Sequence, residues 1–259
     1  MAKGSSTQDV RQYMSRSESI VKRGSPYAET GRAYVGLKSS GSGICAIEMR
    51  NGVPVSFISH CAVKEEDHGV KYLRQVTHTN LLGLKEVYLK DGVAFFLYDA
   101  WGITLDELQR LSHVFRLGEV EVATICKGIL QGLEYIHNDL EICHGDLSCS
   151  TVLINDGGDV KIAGIGESMI RKSSLQAKFQ DIRAVCNIAH TLLGHDNMTG
   201  VRGTLGLLAV DFIAAPPDVT VENLLQVHLG TSKASIITLK IRFLALVSSN
   251  CCTTLCTSG

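Results

Sequence analysis

Net charge is nearly absent from this sequence: its 259 residues carry a formal charge of −1. That balance gives no case for nucleic acid or an anionic membrane as a partner, because both call for a strong basic field. Long hydrophobic runs are missing too. The apolar stretch 236–247 is interrupted by Lys240 and Arg242 and is too short to span a bilayer. No apolar run follows Met1, so no secretory leader is expected. The nine cysteines include no C-x-x-C pair and have no companion histidines at zinc spacing. A zinc module is therefore not expected. Reduced thiols in the cytoplasm, or the nucleus, are the plain reading. Cys256 lies near the C-terminus, but Thr257-Ser258-Gly259 is a poor context for prenylation.

What is present is enough apolar material for a core, 45% of residues, with 20% charged. The length allows one domain of two lobes or two small domains. Residues 1–33 are polar and serine-rich without periodicity, and read as a flexible arm. The first β signal runs from Tyr34 to Cys61, with Asn51-Gly52 as a hairpin turn between two β-capable runs. Residues 64–77 place Val70, Leu73 and Val76 among charges, which suggests a modest amphipathic helix. Lys90-Asp91-Gly92 marks a second hairpin. Thr104 and Glu107 form a capping box that opens a helix.

The clearest helix spans 119–138, where Val122, Cys126, Ile129, Leu130, Leu133 and Ile136 recur at three- and four-residue steps. Glu119 and Glu121 at its start suit the helix dipole. A short hairpin follows, Val152-Leu153-Ile154 returning as Val160-Lys161-Ile162 around a turn rich in Asn, Asp and Gly. The hairpin presents His144-Gly145-Asp146 before it and Gly164-Ile165-Gly166 after it. Residues 205–214 are apolar and end at Pro216-Pro217. Residues 251–259 carry no pattern.

The stretch 142–166 resembles the catalytic core of eukaryotic protein kinases, in which H-R-D-L-x-x-x-N precedes a hairpin and D-F-G. His144, Asp146 and Leu147 match; Gly145 replaces the arginine and Thr151 the asparagine. Gly164-Ile165-Gly166 stands where D-F-G would, keeping only the glycine. The resemblance covers about 34–229 and is strongest over 119–167. His78-Thr79-Asn80-Leu81-Leu82 resembles the segment that follows the regulatory helix, and Asp181–Cys186 the start of a D-x-W-S-x-G helix. After Gly166 no A-P-E triplet appears.

The resemblance implies an α+β, two-lobed protein-kinase-like fold. Its N-lobe is β-rich with one helix, and its C-lobe is mainly helical and shortened. The implied division is an arm at 1–33, a kinase-like domain at 34–230 with N-lobe 34–98 and C-lobe 99–230, and a tail at 231–259. It also implies ATP and magnesium, with Gly41 and Gly43 near the phosphates and backbone groups of Asp99 and Ala100 at the base. Aligned to the glycine-rich loop, Lys38 and Ser40 take the first two glycine positions and Gly43 the last. Val55–Ile58 aligns with V-A-I-K, which puts Ile58 at the phosphate-gripping lysine, and Gly69 falls at its glutamate partner. Lys64 lies past the strand as a weak substitute. No convincing metal set remains, with Thr151 at the asparagine position and Gly164 at the aspartate.

Asp146 is the residual catalytic candidate, as a base. A packing role for His144 beside Ile165 and Leu73, and a loop-capping role for Asp146, compete with catalysis. Each missing part normally supplies several kcal/mol of transition-state stabilisation, so turnover should be depressed by many orders of magnitude. The leading expectation is a pseudokinase that serves as scaffold or allosteric partner to another protein. The alternatives are a Ser/Thr protein kinase using Asp146, and a small-molecule phosphotransferase of the H-G-D kind.

Overall fold

The structure, a computed structural model, describes residues 20–27, 34–40, 43–48, 55–63, 68–99, 102–110, 117–155, 157–171, 177–194, 207–216 and 219–226. A six-stranded sheet forms the first part: β1 (Val21–Arg23), β2 (Tyr34–Ser40), β3 (Gly43–Glu48), β4 (Val55–Ala62), β5 (Leu84–Lys90) and β6 (Val93–Tyr98), ordered β1-β5-β6-β4-β3-β2. The β5–β6 turn is the expected Asp-Gly hairpin. Asp91 and Gly92 both take positive φ, 49° and 74°, as a tight turn matched to strand twist requires. The Asn51-Gly52 turn lies outside the described residues.

Two expectations need correction here. Within the arm expected to be flexible, Val21–Arg23 is ordered as a parallel edge strand on β5, with Lys22 Nζ 2.9 Å from Glu86 Oε1. Backbone pairing with an open sheet edge overrides a polar composition. The expected helix at 64–77 is, over its described part, a single 3-10 turn at His68–Tyr72. Val70, Leu73 and Val76 repeat strictly every three residues, a spacing that fits 3-10 or extended chain better than the three-and-four alternation of an α-helix.

The second part is mainly helical: α1 (Leu105–Arg110), α2 (Glu119–Asn138), α3 (Ile165–Arg171), α4 (Ala177–Leu192), α5 (Leu207–Ile213) and α6 (Val221–Gln226). A small sheet, β7 (Ile103–Thr104), β8 (Val152–Ile154) and β9 (Val160–Ile162), lies beside them. The capping box on α1 forms as read: Glu107 N donates to Thr104 Oγ1 at 3.1 Å, and Thr104 N to Glu107 Oε2 at 3.0 Å. Helix α2 is the scaffold, packing on α4, α6 and β9, with Ile125, Ile129, Leu130, Leu133 and Ile136 fully buried. The chain is thus an α+β fold with a β-rich part and a helical part. The catalytic-loop candidate emerges directly from the end of α2.

Segment 78–82 ties the two parts together. Leu82 N donates to Ile162 O at 2.8 Å, and Ile162 N to Asn80 O at 2.9 Å. Asn80 Nδ2 reaches Val160 O at 3.0 Å, and His78 stacks on Tyr135 of α2 at 4.8 Å.

Candidate active site

The loop His144-Gly145-Asp146 is held from below by a residue that the sequence reading gave no role. Asp181 on α4 is 1% exposed. Its Oδ2 accepts His144 N–H at 2.8 Å and its Oδ1 accepts Gly145 N–H at 2.8 Å. His137 Nε2 lies 2.9 Å from the same Oδ2. Gly145 needs its glycine, since φ is 74° there. The loop-capping carboxylate is therefore Asp181, and the expectation that Asp146 fills this role is corrected. Among the described residues His137, Cys143 and Asp181 bring ligand-type atoms within 4.8 Å of one another. With both Asp181 oxygens committed to N–H groups, the cluster serves as a loop anchor.

His144 is fully buried. Its Nε2 donates to Ala163 O at 2.7 Å and its Nδ1 accepts Asp146 N–H at 3.3 Å, an arrangement only the neutral ring satisfies. Burial lowers its pKa below the ordinary 6.5, partly countered by the Ala163 bond and Asp181. The unfolded chain takes up a proton near that ordinary value, while the native ring resists until lower pH. The stabilisation is thus present above 6.5 and lost as pH falls beneath it. His78, lowered by burial and by Lys161, acts in the same direction. Thermal melts should show the midpoint falling between about pH 7 and pH 5.5, and a His144→Leu variant, though less stable throughout, should give a shallower slope.

Asp146 points outward. Its side chain is 64% exposed, and Arg171 Nη2 lies 3.8 Å from Oδ2. A pair this open contributes little. Thr151 is buried, and its hydroxyl is spent on the loop, accepting Ser148 N–H at 2.9 Å and facing the carbonyls of Asp146 and Ser148 at 3.2 and 3.1 Å. It serves the loop as a turn-stabilising hydroxyl.

The facing wall is built by β4, β6 and α3, and it shows a slip in the sequence alignment. Ile58 is buried with Ala46, Tyr88 and Leu97, apart from the main core. Phe57 and Ser59 point the other way, toward Tyr98 and α3. Because side chains alternate along a strand, a one-residue shift exchanges faces. Ser59, not Ile58, therefore holds the cleft-facing position. Phe57 fills the space beneath Gly43: a Cβ there would lie 2.5 Å from Phe57 Cζ and 2.7 Å from Ile58 O. Gly43 thus packs closely against Phe57.

Ser59 Oγ donates to Glu167 Oε1, and Tyr98 Oη donates to Glu167 Oε2 at 2.5 Å. Gly166 N–H in turn donates to Tyr98 Oη at 3.0 Å. All three side chains are buried, Glu167 being 8% exposed. Burial, followed by the Glu167 charge, pushes the Tyr98 hydroxyl well above its ordinary pKa, so it remains a donor. A Cβ on Gly164, the D-F-G aspartate position, would lie 3.4 Å from His144 Nε2 and 4.0 Å from Glu167 Oε2. A carboxylate thus lies near the position of the lost one, but its two oxygens are taken by Ser59 and Tyr98.

Of the other expected site residues, Asp99 falls among the described ones. Asp99 pairs with Lys85 at 2.9 Å, and its N–H donates to Gly83 O at 3.0 Å. Gly41, Ala100 and Lys64 lie outside the described residues. Glu167, Ser59 and Tyr98 were missed, and Asp181 was placed at the start of its helix without its anchoring role. The Phe57-Ser59 alternation, and a carboxylate three residues after Gly164, were the available signals. Burial raises the Cys149 thiol to about 11.

A β-rich lobe over a helical lobe, with an H-G-D loop at the end of the central helix, defines the protein-kinase class of fold. The protein kinase domain model matches residues 30–186, more than half of the chain, and the chain belongs to that family. It is similar to serine/threonine-protein kinase TAO3 of Gallus gallus, 37% identical over 102 residues, or 39% of this chain and 11% of that protein. It is similar to serine/threonine-protein kinase Tao of Drosophila melanogaster, 32% identical over 102 residues, 39% of this chain and 10% of that protein. The TAO3 of Homo sapiens is 37% identical over 100 residues, 38% of this chain and 11% of that protein. The matched stretch thus spans about a tenth of these relatives. No helix among the described residues is long and apolar enough to cross a membrane.

Proposed function

We propose that this chain is a pseudokinase, a protein-kinase fold that transfers phosphate weakly or not at all and works through a protein partner as scaffold or allosteric element. The observation that carries this reading is Glu167. Phosphoryl transfer needs positive charge to neutralise the phosphates. Here the cleft-facing strand position is Ser59, and a buried carboxylate is turned toward it. An anionic ligand would meet like charge in a poorly solvated site, where repulsion is strong. Phe57 adds bulk beneath Gly43. ATP and magnesium, the family's cofactors, therefore find neither the lysine nor the D-F-G aspartate that would hold them.

Thermal shift tests the reading. About 1 mM ATP with magnesium should move the midpoint by less than about 2 °C, and a clear magnesium-dependent rise would argue against it. A second reading, a Ser/Thr protein kinase with Asp146 as base, is supported by the Ser/Thr kinase relatives and by the anchored H-G-D loop. On the pseudokinase reading, wild type and Asp146→Asn should show the same background phosphate transfer to a generic protein substrate. Loss of transfer in the variant alone would favour the kinase. The small-molecule phosphotransferase keeps only Gly145 in its support.

A further inference from the structure

We infer that Ser59, Glu167 and Tyr98 form a latch that holds the two lobes together without nucleotide. This deepens the pseudokinase proposal and rests on it for its meaning. In a working kinase the nucleotide and its metal ions bridge the lobes across the cleft. Here protein groups make the bridge. Ser59 belongs to β4 and Tyr98 to the end of β6, both in the six-stranded sheet, while Glu167 belongs to α3, beyond the β8–β9 hairpin.

The bonds run as one connected chain: Gly166 N–H donates to Tyr98 Oη, Tyr98 Oη to Glu167, and Ser59 Oγ to the other carboxylate oxygen. Each donor is oriented by the one before it, and charge-assisted bonds in a dry site are the strong kind. The backbone geometry fits. A Cβ on Gly166 would collide with the Phe96 ring, and one on Gly69 would lie 2.5 Å from Ile170 O. Helix α3 is therefore gripped from two sides by the N-terminal half, by β6 and by the 68–72 turn. If the lobes parted here, the carboxylate would lose both donors and Gly166 its acceptor. The closed arrangement is the one that satisfies them all.

Hydrogen–deuterium exchange on the full chain, without nucleotide, tests this. Glu167→Ala should speed exchange about tenfold in peptides covering 55–62 and 165–171 while leaving α2 unchanged, since charge-assisted bonds of this kind are worth at least that factor. Tyr98→Phe should act on the same two segments, and the double variant should add little to Glu167→Ala alone. Unchanged exchange at both segments would overturn the latch. If Glu167→Ala loosens the whole chain, Ser59→Ala decides: acceleration confined to the two segments supports the latch, and none overturns it. Efficient phosphate transfer by wild type would sink the pseudokinase reading while leaving the exchange result standing. The two failures are therefore distinguishable.

Discussion

Asp181→Ala should cost about 3–5 kcal/mol of folding stability, read as a lower denaturant midpoint in urea unfolding. The size follows from what the carboxylate satisfies. His144 N–H, Gly145 N–H and His137 Nε2 all use it, at 2.8, 2.8 and 2.9 Å. Each buried polar group left unpaired costs about 1–3 kcal/mol, and relaxation or an entering water recovers part of the sum. Asp181→Asn keeps one acceptor oxygen and should lose roughly half as much. The effect should also be local. Residues 143–146 lie between α2 and the hairpin, and Gly145, at positive φ, donates its N–H to Asp181. An alanine variant as stable as wild type would show that the loop stands without this carboxylate.

Why the loop-anchoring role of Asp181 escaped sequence reading is physical. It lies 36 residues beyond Gly145, and no local period or spacing links a helix position to a loop that distant. The features legible in sequence were those whose cause is local. The Asp91-Gly92 turn, the Thr104–Glu107 box and the apolar face of α2 each need only residues within a turn or two. The His144 loop and the β8–β9 hairpin were legible because the family's motif lies within one continuous stretch. Segments whose shape depends on partners were not. Val21–Arg23 reads as a polar tail until β5 offers it an edge. Residues 165–171 offered no helix signal of their own, yet the helix there buries Ile165 through Ile170, with the sheet and the 68–72 turn against it.

The Ile58 assignment failed for a different reason. Val55-Ser56-Phe57-Ile58 matches V-A-I-K by letter, but matching by letter does not fix which face a strand residue occupies. Structure fixes it through pairing: Ile58 opposes Ile44 and Leu97 on one ladder, and Ser59 opposes Gly43 and Phe96. The conclusion that the strand's cleft-facing position carries no lysine survives the shift. The identity of the replacing residue does not, and with Ser59 comes a hydroxyl able to bond Glu167, which Ile58 could never have supplied.

Gly132→Val should cost about 2–3 kcal/mol, although in an exposed helix the same change would be mildly favourable. A Cβ at 132 would lie 2.8 Å from Ile162 Cδ1 and 3.0 Å from Asn80 O. One turn earlier, a Cβ at Gly128 would lie 3.1 Å from Val160 Cβ and 3.2 Å from Asn80 Nδ2. Glycines four apart share a helix face, and this bare strip lets α2 settle on β9 and on segment 78–82. Asn80 O cannot retreat freely, because it accepts Ile162 N–H. Valine's two γ-methyls must therefore push either β9 or the helix aside. Gly132→Ala places the same Cβ against Ile162 and Asn80 O but adds no γ atoms and gains helix propensity, so it should lose less than the valine variant. Since β9 runs straight into Ala163, the acceptor for His144, and then into α3, a displaced β9 should be felt at the site. Hydrogen exchange in 160–171 should rise in the valine variant together with the loss of midpoint. A valine variant that unfolds at the wild-type midpoint would mean that the close approach of α2 to β9 carries no stability.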